Sequence, residues 1–240
     1  MVLCKKKEKN VTEQEKEDQI NGDRYTYVAV DAVSRLVIAI ACGRRVQAVA
    51  NELLSKVAMR IVKTMTIFFT SDDWDQYLPA IKKSFGFLRR PRRKSKKGPK
   101  KKMKYFLPKN ILYGIIKKIK DDSGRVIGKM RKVVHGSVAT VQQIIKDSPV
   151  SHVLNTSFIE RVNGTYRCYC SRLTRKTYKF SKNSIKHDSH ILLVTIYYNL
   201  VKPHRTLTKN YQTKTTPAIA AKITDHCWTW KELCNFPIST

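Results

Sequence analysis

The chain has 240 residues, which is long enough to bury a sizeable core as one large domain or as two small ones. Hydrophobic residues make up 42% of it and aromatic residues 9%, and this composition excludes a wholly disordered protein. Lysine and arginine number 48 against 18 aspartate and glutamate residues, which gives a net charge of +30. Such an excess indicates a polyanionic partner, with nucleic acid favoured over an anionic membrane surface, and self-repulsion disfavours a merely basic protein.

The sequence shows neither a membrane-spanning segment nor a signal peptide. Its most apolar stretch, residues 27–43, is interrupted by Asp31, Ser34 and Arg35 and falls short of the roughly 18 apolar residues of a membrane span. The residues after Met1 lack the apolar segment of a signal peptide. Six cysteines form no C-x-x-C pair, which is typical of reduced thiols. We therefore predict a cytoplasmic protein without a membrane partner.

The first half of the chain predicts two strands, a helix, a third strand and a second helix. The runs "YTYVAVD" and "RLVIAIACG" predict an antiparallel hairpin whose second strand is covered on both faces. Residues 45–62 carry apolar side chains at a period of 3.6 and predict a helix. "TIFFT" predicts a short buried strand, and "DQYLPAIKKSFG" predicts a helix with Pro79 in its first turns and Gly86 beyond its end.

The second half begins with a strongly basic segment. Residues 89–104 hold eleven lysines and arginines, and with its prolines and glycine the segment 88–104 predicts an exposed loop. The runs "ILYGIIKKIK" and "RVIGKMRKVVHG" around "DDSG" predict a second hairpin. Helices are predicted over residues 137–146, 155–179 and 183–201, and "TPAIAAKITDHCWTWKEL" forms a closing element. This order predicts an α/β fold with one mixed sheet flanked by helices.

Two adjacent aspartates end the third predicted strand, in "IFFTSDDWDQYL". Asp72 follows that strand after only Thr70 and Ser71, and the ligand sites of open α/β sheets lie just beyond the carboxyl ends of strands. A carboxylate at such a place can hold Mg²⁺ together with phosphate oxygens. The alternative is that Asp72, Asp73 or Asp75 caps the following helix, and Asp75 is the best candidate for that role.

A second polar cluster lies in "NTSFIERVNGTYR". Ser157 and Glu160 have the spacing of a capping box, in which Glu160 merely closes the start of a helix. On a helix, however, Glu160 shares one polar face with Asn163, Gly164 and Arg167. A lone carboxylate among arginines is also where a metal ion and a phosphate would meet. The spacing alone leaves both interpretations open.

Five longer blocks follow one another along the chain. They are "FFTSDDWDQY", "SPVSHVLNTSFIERVNGTYR", "LTRKTYKFSK", "YYNLVKPHRTL" and "TPAIAAKITDHCWTWKEL". In this order they resemble the blocks of bacterial and archaeal insertion-sequence DDE transposases of the insertion-element-one type, and the resemblance covers residues 2–237. That family is similar in fold to retroviral integrases and ribonuclease H. The resemblance therefore implies a ribonuclease-H-like mixed sheet flanked by helices, with residues 88–150 as an inserted basic loop, hairpin and short helix.

The family uses an Asp-Asp-Glu metal triad with an additional histidine. Asp72 matches the second aspartate, Glu160 the glutamate of "ERxN" and His187 the histidine that follows "FSK". The resemblance implies that these three are catalytic and that Asp72 and Glu160 bind metal, whereas His187 and His190 taken alone are ordinary histidines. It also implies two Mg²⁺ or Mn²⁺ ions about 3.5–4 Å apart that promote phosphodiester cleavage and strand transfer.

The implied partner is DNA, both the ends of the element and its target, with a homo-oligomer assembled on the DNA in the nucleoid. The basic loop is expected to contact the phosphate backbone without reading bases. The predicted DNA-binding residues belong to this loop and to the arginine-rich helix with the segment after it: Arg89, Arg90, Arg92, Arg93, Lys94, Lys96, Lys97, Lys100, Lys101, Lys102, Arg161, Asn163, Arg167, Arg172, Arg175 and Lys176.

The sequence departs from the family at its start. The family's first aspartate precedes a "KKxKN" block, which "CKKKEKN" matches here at residues 4–10, so that the aspartate and an amino-terminal zinc-binding and helix-turn-helix region would lie before residue 1. Asp31 matches a hairpin-turn residue and is no substitute. We expect a catalytic domain with impaired cleavage, formed by residues 1–87 and 151–205 around the insertion 88–150, with a tail at 206–240. The alternative is a non-catalytic DNA-binding remnant that inhibits transposition.

Overall fold

The computed structural model describes residues 2–4, 11–14, 22–91, 101–174 and 177–237, with only the backbone given for 2–4. The chain divides into two compact units. Unit 1 consists of Met1–Arg45 together with Ser157–Thr240, and unit 2 is Val46–Thr156. None of the helices in the described ranges is long and apolar enough to cross a lipid bilayer.

Unit 1 contains an antiparallel sheet in the order β1-β2-β3. Its strands are β1 (Val2–Cys4), β2 (Gly22–Val30) and β3 (Val37–Gly43). The predicted hairpin of β2 and β3 is confirmed, with Tyr25 opposite Gly43. Alternate residues of β3 are buried and the intervening ones are half-buried, so the strand is less covered than its apolar sequence predicts.

Helices make up most of unit 1 from residue 157 onward. They are α4 (Ser157–Tyr169), a 3₁₀ turn (Ser171–Leu173), α5 (Ser184–Ile196), a π-helix (Tyr197–Val201), α6 (Arg205–Tyr211), α7 (Pro217–Ala220) and α8 (Trp230–Asn235). The prediction that the first of these runs to about residue 179 was wrong, because α4 ends at Tyr169. The sequence after Tyr169, "CSRLTRKTYKFSK", has no apolar stripe that a longer helix would bury.

The core of unit 1 is formed where α4 and α5 pack beside the sheet. Its buried residues are Val37, Val162, Tyr166, Cys170, Ile191, Val194 and Tyr198. Two polar contacts fix the packing. The Tyr166 hydroxyl lies 2.7 Å from Thr195 Oγ1, and the amide of Asn199 bonds both the backbone N–H and the carbonyl of Val37 at 3.0 Å. The side chain of Asn199 thereby satisfies both backbone polar groups of Val37 at the start of β3.

The described residues of unit 2 form three helices and two small sheets. The elements are α1 (Gln47–Arg60), β4 (Ile67–Asp72), α2 (Tyr77–Phe85), β5 (Phe87–Arg89), β6 (Lys104–Phe106), β7 (Ile111–Lys120), β8 (Val126–His135) and α3 (Val138–Lys146). One sheet has the order β4-β7-β8, with β4 and β7 parallel and β7 and β8 antiparallel, and β5 pairs with β6. The predicted helices α1, α2 and α3 and the hairpin of β7 and β8 are confirmed.

The fold is α/β with open sheets, as predicted, but the described strands form three sheets where one mixed sheet was expected. The basic segment 88–104 also differs from a plain loop. Its two ends are the short strands β5 and β6, in which Phe87 lies opposite Phe106 with ring centroids 6.4 Å apart. Aromatic residues at the borders of the segment pair across it, whereas residues 92–100 lie outside the described part of the chain.

Candidate metal and nucleic-acid sites

Asp72 is the last residue of β4 and lies opposite Ile116 of the parallel strand β7. Its side chain is exposed. The preceding residue, Ser71, donates its hydroxyl proton to the carbonyl of Asp72 at 2.7 Å and lies 2.7 Å from the hydroxyl of Tyr113. The parallel pairing of β4 thus presents Asp72 at the carboxyl end of a strand, where α/β sheets bind ligands.

The neighbouring groups make this strand end mixed in charge. Asp73 Oδ2 lies 3.5 Å from the ammonium nitrogen of Lys117, and because both side chains are largely exposed this ion pair is weak. Burial raises the pKa of Tyr113, the hydrogen bond with Ser71 opposes the rise, and the charges of Asp72 and Asp73 add to it. Tyr113 therefore stays protonated at neutral pH, and because the Ser71 proton goes to the Asp72 carbonyl, the Tyr113 hydroxyl donates to Ser71 Oγ.

The alternative role of helix cap is wrong for Asp75. Helix α2 begins at Tyr77, its N-cap position is Gln76, and no side chain caps it. Asp75 lies one residue before that cap and is exposed. Asp75 therefore does not occupy the N-cap position of α2.

Glu160 lies in the first turn of α4 and is exposed. A carboxylate there interacts favourably with the positive end of the helix dipole. Val162 and Tyr166 face the core, whereas Glu160 and Arg167 are on the exposed side, as the helical spacing predicts. A Cβ placed on Gly164 would meet no atom within 4 Å, so this side of α4 is open to a large ligand.

His187 is buried in α5, with 1% of its surface exposed. Its Nδ1 lies 2.7 Å from the hydroxyl oxygen of Ser181, and its Nε2 has no hydrogen-bond partner within the described ranges. Burial lowers the pKa of His187, the charge of Asp188 opposes this and that of Arg24 adds to it. The imidazole is therefore neutral at pH 7. His190 takes a different contact, with Nδ1 3.5 Å from the thiol of Cys170.

The three predicted catalytic residues differ in environment. Asp72 and Glu160 are exposed carboxylates, in unit 2 and unit 1 respectively, and His187 is enclosed in unit 1. Among the residues that the structure describes, no group of three or more His, Cys, Asp or Glu side chains is placed to hold a metal ion. Exposed carboxylates fit Mg²⁺, which keeps several waters and binds through one or two carboxylates plus phosphate oxygens. The enclosed Nε2 of His187 does not fit such a hydrated site.

Most predicted DNA-binding residues that the structure describes are exposed. Arg89, Arg90, Lys101, Lys102, Arg161 and Arg167 are exposed, and Asn163 and Arg172 are half-buried. The other predicted residues lie outside the described part of the chain: Arg92, Arg93, Lys94, Lys96, Lys97, Lys100, Arg175 and Lys176.

A second basic surface is absent from the sequence-based list. The outer parts of β7 and β8 form an exposed two-stranded ribbon, which we call the basic ribbon, with the lysines Lys117, Lys118, Lys120, Lys129 and Lys132. Two-stranded ribbons of this kind can enter a DNA groove. The sequence contains the signal for this surface, because these lysines lie in the predicted hairpin. The DNA-binding prediction instead includes the denser basic run at residues 89–104.

Comparisons with protein families, with curated proteins and with solved structures gave no match for this chain. What it does is therefore inferred from its residues and from the elements that carry them.

Proposed function

We propose that this chain is the catalytic domain of an insertion-sequence transposase, which binds DNA and promotes metal-dependent phosphodiester cleavage and strand transfer. The observation that carries the proposal is Asp72, an exposed carboxylate on the last residue of β4, which is paired in parallel with β7. The block that contains Asp72 also resembles a family in which this aspartate binds metal. A ribonuclease-H-like core is consistent with an antiparallel hairpin, β2 and β3, followed by a helix and a parallel strand pair.

Asp72 and Glu160 are the residues that would hold Mg²⁺ or Mn²⁺. The bound ions would activate the attacking oxygen and stabilise the leaving oxygen of the phosphodiester. Both carboxylates are exposed, so a phosphate and the water shell of an ion can reach them. His187 is enclosed and neutral, and the role that we propose for it is to fix α5 through Ser181.

DNA binding is supported by charge and by exposure. The net charge is +30, and exposed lysines and arginines lie on α4, on the basic ribbon and at both ends of the basic segment. Lysine and arginine contacts to phosphates give affinity that is independent of sequence and falls with salt. We extend the proposal to a homo-oligomer on the DNA of the nucleoid, which is how the resembled family acts.

A second candidate is DNA binding without cleavage. The basic ribbon favours it, because a lysine-rich ribbon accounts for DNA binding without any role for Asp72 or Glu160. The two candidates differ in one respect, the dependence of strand cleavage on a divalent ion and on these carboxylates.

The test is a strand-cleavage assay with Mn²⁺ or Mg²⁺ on supercoiled DNA, comparing the full chain with Asp72→Asn and Glu160→Gln. We expect each variant to lose cleavage by about 100-fold or more, beyond the effect typical of losing an outer-shell partner. DNA affinity should be kept, and Mn²⁺ binding measured by calorimetry should weaken. Glu52→Gln, which removes an equal charge from an exposed helical ion pair, is the matched control. Tight DNA binding without ion-dependent cleavage by the unaltered chain would establish the second candidate.

A further inference from the structure

The turn between β2 and β3 holds an arginine in an uncommon conformation. Arg35 has φ 65°, in the left-handed region that few side chains other than Asn, Asp and Gly adopt. The turn is fixed by Asp31, whose carboxylate accepts hydrogen bonds from the backbone and hydroxyl of Ser34 and whose N–H donates to the Leu36 carbonyl at 2.8 Å. Strained backbone persists where the surroundings fix it, and it concentrates at binding sites.

Contacts from the turn bring three other segments of unit 1 together around Arg35. The guanidinium of Arg35 lies 3.9 Å from the ring centroid of Phe158 on α4. Arg161 follows Phe158 by three residues, so its side chain leaves the same face of the helix. The bonds between Asn199 and the start of β3, just after the turn, hold the π-helix beside it.

The last member of the group is His204, which follows the π-helix. Its ring lies 6.3 Å from that of Tyr198 in an edge-on arrangement, and its backbone N–H donates to the Thr215 carbonyl at 2.8 Å. Within the described residues, His204 Nδ1 is buried without a hydrogen-bond partner. A buried polar atom without a partner costs free energy, which indicates a missing hydrogen-bonding group at this place.

The electrostatics of the group are unbalanced. Burial lowers the pKa of Arg35, Tyr198 opposes this, and the nearby charge of Arg161 lowers it further. Burial also lowers the pKa of His204, and Arg35, Arg161 and Lys202 add to the effect. Within the described ranges Arg35 makes no ion pair with a carboxylate, and its guanidinium donates a hydrogen bond to the Ala32 carbonyl. The charge of Asp31 opposes the lowering of the pKa of Arg35, but the Asp31 carboxylate is hydrogen-bonded to Ser34. An anion beside these cations would relieve their repulsion.

We propose that Arg35, Arg161 and His204 form a binding site for one phosphodiester group of a DNA backbone. The site rests on the DNA binding proposed above and adds Arg35 and His204 to it. Arginine binds a phosphate with two parallel N–H···O bonds, and its rigid fork is suited to a half-buried place. The negative charge of a phosphate held by the two arginines would favour the protonated imidazole of His204.

The first measurement is the affinity of the full chain for a DNA duplex of about 20 base pairs over a range of salt concentrations. Arg35→Asn suits the test because asparagine tolerates the left-handed conformation of the turn, and Arg161→Gln removes the second guanidinium. We expect each variant to weaken binding by about tenfold or more and to lower the slope of log affinity against log salt by about 0.9. Lys209→Gln, an exposed cation of α6, should leave affinity much closer to that of the unaltered chain.

The second measurement is the pKa of His204, followed by NMR and assigned with His204→Gln. We expect the duplex to raise this pKa in the unaltered chain and not in the Arg35→Asn, Arg161→Gln double variant, because phosphate charge favours the imidazolium. Unchanged affinity and salt slope in folded variants would overturn the site even if cleavage depends on Asp72. Loss of affinity would support it even if no cleavage occurs. A rise in the pKa with anionic lipid vesicles but not with the duplex would also overturn it.

Discussion

His187 gives the sharpest test of how the interior of unit 1 is arranged. The ring is buried to 1% exposure, bonded at Nδ1 to the Ser181 hydroxyl and enclosed at Nε2. Burial lowers its pKa, Asp188 opposes the shift, and further cationic groups add to it: Arg24, Arg172 and His190. Asp188 itself is paired with Arg24, so its charge is partly compensated. The folded state therefore favours the neutral imidazole.

Because the folded state favours the neutral imidazole, His187 makes the free energy of unfolding fall as the pH falls. The folded pKa of His187 lies below the unfolded value of about 6.5, so between the two the unfolded chain binds more protons. The contribution of His187 to the free energy of unfolding is full above about pH 6.5 and is lost as the pH falls toward the folded pKa. The slope for one group is at most about 1.4 kcal/mol per pH unit. Below the folded pKa the slope from His187 vanishes.

The assay is urea unfolding of the full chain at several pH values between about 7.5 and 5. His187→Gln removes the titration and keeps a group that can bond Ser181, so its free energy of unfolding should fall less steeply with acid than that of the unaltered chain. His152→Gln is the matched control, since it makes the same substitution at an exposed histidine. Parallel pH profiles for the unaltered chain and His187→Gln, or a folded His187 that titrates above about pH 6.5 by NMR, would refute this reasoning.

Two stability predictions test the packing of each unit. Tyr166→Phe removes a buried hydroxyl that bonds across α4 and α5, and it should lower the free energy of unfolding by about 1 kcal/mol, whereas Tyr178→Phe, 99% exposed, should have no effect. Gly136→Ala should cost about 1–3 kcal/mol, because φ is 102° and the new Cβ would lie 2.2 Å from a methyl carbon of Leu112. Gly128→Ala is its tolerated counterpart, with its nearest contact at 3.7 Å. Denaturant melts that show equal losses within either pair would contradict the packing.

The parts of the fold that the sequence predicts are those set by local periodicity. Helix α1 buries Val49, Ala50, Leu53, Leu54, Val57 and Ala58, as its 3.6-residue apolar pattern requires. The hairpin of β7 and β8 turns at "DDSG", where Asp121 accepts hydrogen bonds from Ser123 and Arg125 and Gly124 has a positive φ. In both places the residues that determine the structure are neighbours in the chain, so the local sequence is enough to predict the helix and the hairpin.

The structural features that the sequence does not predict share the opposite property, since they depend on distant partners. β5 and β6 exist because the two borders of the basic segment pair with each other across it. The burial of His187 follows from Ser181 and the packing of α5, neither of which its spacing from His190 reveals. Arg35 reads as an ordinary turn residue until Phe158 and Arg161, more than a hundred positions later, are brought beside it.

The basic ribbon in unit 2 and the cluster of Arg35, Arg161 and His204 in unit 1 both place positive charges close together. In the ribbon Lys118 lies directly opposite Lys129, and like charges at such a pair destabilise a hairpin by up to about 1 kcal/mol. In the cluster Arg161 acts against the charge of Arg35. The repulsion between like charges disfavours folding at both places. A polyanion bound beside them would offset this repulsion. Repulsion at both places supports the DNA binding that we propose for this chain, because phosphate charge would offset it in each unit separately.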